Sequence, residues 1–343
     1  MFQSFTKNTI RYFLLLIGLI GLFLLNISMG SEKIPVIDVF KILIGRNTDN
    51  AIWEKIILLY RMPKGLTAVM AGMALSVAGL QMQTVFRNPL AGPYVLGISA
   101  GASLGVALLV LTVSSGMFMQ STGSWAVIVA SWMGSGLILF LIFLVSLKVN
   151  DIMTILILGI LFGGISGAIV TILQYFSPET ALKSFVVWTM GSLGNVTSDQ
   201  LKYFVPIIVI SLVTAFISSK SLNAMLLGET YAKSIGVNTS ISRNMVFVST
   251  CILAGTTTAF CGPIGFIGIA VPHVARLFLR TADHKHLIIT SALTGGIVLL
   301  ISDILSRMPA NNQVLPINSV TSLIGIPVII WIIVKNKKIN RAF

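Results

Sequence analysis

Residues 61–102 read RMPKGLTAVMAGMALSVAGLQMQTVFRNPLAGPYVLGISAGA. Two nearly uncharged runs, 65–85 and 103–113, enclose an arginine, an asparagine, two prolines and a ladder of glycines. The first run matches the roughly 20 apolar residues that a helix needs to cross the hydrocarbon of a bilayer. Proline carries no backbone N–H and fits poorly inside a helix, so Pro89 and Pro93 read as a break between two spans. Why a polar, helix-breaking segment should join two apolar helices is the question that the rest of the chain answers.

Runs of this kind recur from end to end. The chain has 343 residues, 55% hydrophobic and only 10% charged, against about 25% charged in an ordinary soluble protein. The composition describes an all-α, polytopic membrane protein with about ten spans, near 12–28, 65–85, 94–113, 124–146, 152–173, 200–218, 244–261, 264–280, 287–305 and 318–334. Residues 1–343 read as a single transmembrane domain. The opening segment has the basic start and apolar middle of a signal peptide; its apolar stretch is long for one, and it is read as a retained first span.

A net charge of +13 does not point to nucleic acid, because the basic residues lie singly in short connections rather than on one face. With the N-terminus inside, 14 of the 23 basic residues fall on the inner side, while the outer loops carry seven of the ten acids. Bias of Lys and Arg in short loops sets topology, so both termini are expected in the cytoplasm. Cys251 and Cys261 lie ten residues apart on one expected helix, about 15 Å along its axis, too far for a disulfide.

Small-residue spacing appears twice, at Gly97, Gly101 and Gly105 and at Gly159, Gly163 and Gly167, and suggests close helix packing. Two outer segments, 34–45 and 177–193, read as short helices; the second is expected to use Ser177 as its N-cap and Pro178 as its first residue.

The spans hold almost no ionisable group, whereas ion-coupled carriers place such groups along their pathway. His273, after Pro272, reads as a satisfied histidine at a helix start, with a proton relay as the alternative. There is no ligand cluster for a bare metal ion and no phosphate-binding loop. No cofactor is expected in this chain, and any ATP would be bound by a partner subunit. The longest inner connection, 219–244, is either a solvated loop helix or a coupling helix for a cytosolic ATPase. Glu229 and Lys233 stand four apart there, in the favourable order for a helical ion pair.

Taken together, the motifs resemble the FecCD permease family, the membrane subunits of binding-protein-dependent ABC importers for iron–siderophores, haem and cobalamin. The resemblance rests on the opening block, on "LLGETYAKSIGV", on "GPIGFIGIAVPHVARLFL" followed by "TADHKHLIITSALTGG", and on "SDILSRM" and "LPINSVTSLIGIPVIIWII". It implies a cobalamin-importer-permease-like fold (type II ABC importer) and two permease subunits around one path, here a homodimer. It also implies a cytosolic ABC ATPase dimer, an extracytoplasmic substrate-binding protein and a chelated iron cargo, at the bacterial inner membrane.

Residue by residue, the resemblance assigns docking of the binding protein to Arg61, Lys64 and Arg307. Coupling to the ATPase falls on Leu227, Gly228, Glu229, Ala232, Lys233 and Gly236. A structural hinge falls on Arg87, Asn88, Pro89 and Pro93. Three positions depart from the family pattern. Lys64 stands for a second arginine and loses its bidentate geometry, Val314 stands for an acidic residue, and Asn318 stands for a glycine. A permease of this kind changes no covalent bond in its cargo, so the chain is not expected to be an enzyme. An ion-coupled secondary transporter remains the alternative from another class.

Overall fold

The structure is a computed structural model that describes residues 2–30, 32, 34–46, 50–112, 116–149, 151–308 and 314–335. Its regular elements are helices α1 (Phe2–Ser28), α2 (Val36–Leu43), α3 (Ala51–Ile56), α4 (Met62–Val85), α5 (Ile98–Thr112), α6 (Gly116–Ser146), α7 (Ile152–Phe176) and α8 (Glu179–Thr189). They continue with α9 (Ser198–Ile217), α10 (Ser219–Leu226), α11 (Glu229–Ser234), α12 (Thr239–Cys261), α13 (Ile267–Leu279), α14 (His284–Ser306) and α15 (Ile317–Lys335).

Each of the ten expected spans corresponds to one helix. Seven are long and apolar enough to cross a membrane, and α5, α13 and α15 are shorter apolar helices. Irregular backbone is buried before α5, at Pro93 and Leu96, and before α13, at Ile264, as backbone at membrane depth must be unless it lines a cavity; Val314 and Leu315 before α15 are exposed. α4 and α12 are the most enclosed, whereas α1, α7 and α9 keep most of their apolar side chains on the outer surface of the bundle.

α3 and α4 are one continuous helix over residues 51–85, about 50 Å long at 1.5 Å per residue. A π-helical turn at Ile57–Arg61 interrupts it. Pro63 explains the loosening: without an N–H it cannot bond back to Leu59, and wider turns gather where the regular ladder is broken. The turn swings Arg61 inward, where it is buried. The apolar run alone does not show this extension, since the expected span begins at residue 65.

Glycine contacts set the helix distances. A Cβ on Gly101 would lie 2.5 Å from the carbonyl oxygen of Gly134, so α5 and α6 touch through their backbones. Gly72 meets Gly295 on α14, and Gly79 meets Gly268 on α13, in the same way. The expected seams are partly redistributed. Gly97 precedes α5 at φ +74° and meets the backbone of Gly159 on α7 as well as the Ile138 side chain of α6, whereas Gly101 and Gly105 meet the α6 backbone; Gly167 has open space beside it.

The two short helices expected over 34–45 and 177–193 form as α2 and α8. α8 is capped by Pro178, one residue later than the sequence suggests, and Asp199, Thr197 and Gln200 begin α9 with a full capping box between Thr197 and Gln200. Both cysteines are buried and unpaired in α12.

Candidate functional site

The segment that opens the sequence question is a structured re-entrant turn. α4 stops at Val85, and Arg87 takes a left-handed conformation with φ 47°. Asn88 accepts a hydrogen bond from the Leu90 N–H at 2.9 Å, closing a tight turn ahead of Pro89 and Leu90. Pro93 then begins a 3₁₀ turn over Pro93–Leu96, buried at both of its ends, and Gly97 (φ 74°) admits α5. Only Arg87 to Leu90 face outward. The Pro93–Gly97 part lies inside the bundle, where Tyr94 Oη accepts from the Ile264 N–H at 3.3 Å and Gly268 leaves room for Pro93.

This turn meets the connection between α9 and α12. α10 and α11 are separated by Gly228, whose φ of 117° only glycine adopts without strain, and Gly236 (φ 84°) ends α11. Arg87 Nη2 donates to the Met225 carbonyl oxygen at 3.1 Å, and a Cβ on Gly228 would stand 3.0 Å from the same nitrogen. A cavity of about 640 Å³ opens between the two segments, walled by Arg87, Met225, Leu227, Gly228, Glu229 and Tyr231. Of the expected hinge residues Arg87 lines this cleft, and of the expected coupling residues Leu227, Gly228 and Glu229 do; Asn88, Pro89, Pro93, Ala232, Lys233 and Gly236 lie outside its walls. On α11 Ala232 is buried and Lys233 is exposed, as is Leu227 before it. Glu229 faces Arg243 of α12 (3.9 Å) rather than Lys233, which corrects the expected intrahelical pair.

Polar side chains fasten this cleft to the core. His273 Nε2 bonds the Pro89 carbonyl oxygen at 2.8 Å. It sits in the middle of α13 rather than at a helix start, and it holds the turn. Gln83 links the carbonyl of Ile269 (3.1 Å) and Arg276 Nη1 (2.7 Å). His284 bonds Thr84 Oγ1 at 2.7 Å and Asn223 Oδ1 at 2.8 Å. Asn223 Nδ2 in turn donates to Asp283 at 2.7 Å. Burial alone would raise the Asp283 carboxyl, but the bond from Asn223, the Lys285 N–H and the neighbouring histidines hold it below the usual carboxylate range. α4, α10, α13 and α14 are therefore tied together at the Arg87 end.

The opposite end carries the three cations assigned to docking. Asp303, 1% exposed, pairs with Lys64 Nζ at 2.9 Å and with Arg307. Asn26 Nδ2 donates to the same carboxylate at 2.9 Å. Arg307 also donates to the carbonyls of Asn26 and Met29 at 3.1 and 2.9 Å, and Arg61 donates to those of Ile27 and Ser28 at 2.9 and 2.8 Å. Two guanidiniums thus satisfy the carbonyls that α1 leaves open at its C-terminus. The structure brings all three cations together and gives them internal partners. Arg61 is buried, while the Lys64 and Arg307 side chains are 20% and 15% exposed. Asn26 and Asn223 lie outside the quoted motifs, and Gln83 and His284 lie within them with no role assigned, because each partner is on a distant segment.

Among the described residues no group of His, Cys, Asp or Glu could hold a metal ion. The arrangement is that of a polytopic helical membrane protein with a cleft at one end. The chain belongs to the FecCD transport family, which it matches over residues 15–335. It is 33% identical to the hemin transport system permease protein HmuU of Yersinia pestis over 326 residues, covering 94% of this chain and 96% of that one. It is 34% identical to the vitamin B12 import system permease protein BtuC of Salmonella paratyphi A over 278 residues, 81% and 83% of the two chains. A solved ABC transporter assigned to the metal-chelate type, in an inward-facing conformation, superposes with a TM-score of 0.83 at 26% identity, covering 94% of this chain and 98% of the other.

Proposed function

We propose that this chain is the transmembrane subunit of an ABC importer that moves a chelated iron compound, a ferric siderophore, across the bacterial inner membrane. The observation that carries the reading is the cleft at the Arg87 end, where the hinge turn and the α10–α11 segment share a wall. A cytosolic ATPase dimer seated there would press on α11. Arg87 would pass the movement to the α4–α5 turn through Met225, and His273 would pass it to α13 through Pro89. The cargo is not altered, and ATP is bound by the partner.

In this reading the Arg87 end and both termini face the cytoplasm, two copies of the chain line the path, and a substrate-binding protein docks on the outer end. Lys64 and Arg307 supply partly exposed positive charge there for acidic docking residues, and Arg61 fixes the end of α1 beside them. The haemin and vitamin B12 relatives support haem or cobalamin as the second reading of the cargo.

Uptake of labelled ferric siderophore, haem and cobalamin by cells with and without the gene tests the proposal. Loss of siderophore uptake alone on deletion, restored by the gene, is the expected result. Loss of haem or cobalamin uptake instead would replace the cargo. Uptake of any of them that stops with a protonophore while ATP remains high would replace the ABC mechanism with ion coupling.

A further inference from the structure

A second cavity at the Arg87 end, about 410 Å³, lies between α13, α14, the end of α10 and α15. Its walls are of two kinds. Leu277, Leu287 and Ile332 make an apolar side, and Arg276 and Arg280 make a basic one. No carboxylate lines it. The acid that flanks it in sequence, Asp283, is engaged by Asn223 at 2.7 Å and by the Lys285 N–H at 3.0 Å. Arg280 is exposed at the C-terminal end of α13 and holds a left-handed backbone (φ 54°), so the chain turns there and α13 goes no further.

The cavity also sits at a definable height. Trp331, half exposed, adjoins Ile332 on α15, and Tyr12 stacks on His286 near the same end, with its hydroxyl bonded to Nδ1 at 2.7 Å. Amphipathic rings of this kind gather at the headgroup level of a bilayer. Apolar walls, cationic walls and headgroup height together describe a site for an anionic phospholipid, since basic pockets between spans on the positively charged side of a membrane protein bind such headgroups.

We propose that this cavity holds one anionic glycerophospholipid, with its phosphate between Arg276 and Arg280 and an acyl chain along Leu277 and Ile332. Leu227 lines this cavity as well as the cleft walled by Arg87 and Glu229. The lipid therefore rests against the segment that links α10 to α11, and its occupancy steadies that segment. The proposal needs only the membrane setting of the family, not the cargo or the ATPase.

The test uses the full chain purified in detergent, with phosphatidylglycerol or phosphatidylcholine added and bound lipid counted by native mass spectrometry. One phosphatidylglycerol should be retained in preference to phosphatidylcholine. R280Q should reduce that preference about fivefold, because one cation near an anionic headgroup contributes about that factor in affinity. A282E, which puts an acid on an exposed position of the same wall, should abolish it. K202Q, a surface cation on α9 paired with Asp199, should leave it unchanged and so reports any general effect of charge. Equal retention of the two lipids, or a preference that R280Q and A282E leave intact, overturns the proposal. So does a photocrosslinker at position 282 that captures a polypeptide rather than lipid in membranes. Because R276Q also removes the bond to Gln83, it is read only alongside the other two.

Discussion

Asp303 carries more of the structure than any motif around it suggests. It is the shared counter-charge of Lys64 and Arg307 and the acceptor for Asn26, at 2.9 Å from both Lys64 and Asn26. Removing one partner of a buried ion pair leaves the other charge desolvated and unmatched, which costs about 3–5 kcal/mol. D303N should therefore lower the thermal midpoint of the purified protein markedly. The double change K64M with D303N should recover part of the loss, since it removes one of the stranded cations. A D303N protein as stable as the wild type would mean that the cluster is solvated and that its ion pairs contribute little to the fold. Lys64 is itself informative here. The departure from the family's arginine leaves a point charge that reaches Asp303 through a single nitrogen, which a bidentate guanidinium would not do in the same way.

At the scale of helices, the decisive contacts are between backbones, and one helix offers its own control. Gly134 and Gly136 are two residues apart on α6. A Cβ at Gly134 would run into the Gly101 carbonyl, whereas one at Gly136 would meet nothing within 4 Å. G134V should separate α5 from α6 and leave little folded protein, while G136V should be tolerated. Fluorescence-detected size-exclusion profiles of the two variants at equal expression compare them directly, and matching profiles would refute the packing argument. This contrast also shows what the sequence could reveal. Ten apolar runs give ten helices, because hydrocarbon thickness leaves few other solutions for a chain in lipid. Which glycines touch is not readable, because Gly97 follows the spacing of Gly101 and Gly105 yet precedes the helix. The start of α5 at Ile98 and the start of α12 at Thr239 differ from the expected 94 and 244 for the same reason: hydropathy follows lipid contact, and helix ends follow capping and tertiary bonds. Pairs such as Asn26 with Asp303, or Thr84 with His284, join segments about 200 or more residues apart and leave no local trace.

For the whole molecule, the fold and the proposed orientation make separable claims. Ile152, at the start of α7, lines the cleft with Leu227 and Gly228. α7 then runs 25 residues to Phe176, about 37 Å at 1.5 Å per residue, which is enough to cross the hydrocarbon. α8 must therefore lie across the membrane from α11, whichever way the bundle is inserted. The two native cysteines are buried and can be replaced by alanine, leaving single cysteines at Lys183 on α8 and Ser234 on α11, both exposed positions. In spheroplasts, an impermeant maleimide should label K183C at once and S234C only after permeabilisation. The reverse pattern would overturn the cytoplasmic placement of the Arg87 end while leaving the fold intact, and would move the proposed ATPase cleft to the wrong side. Labelling of both positions from one side would contradict the path of α7 itself. The Lys and Arg bias bears only on the first of these outcomes, and the length of α7 only on the second.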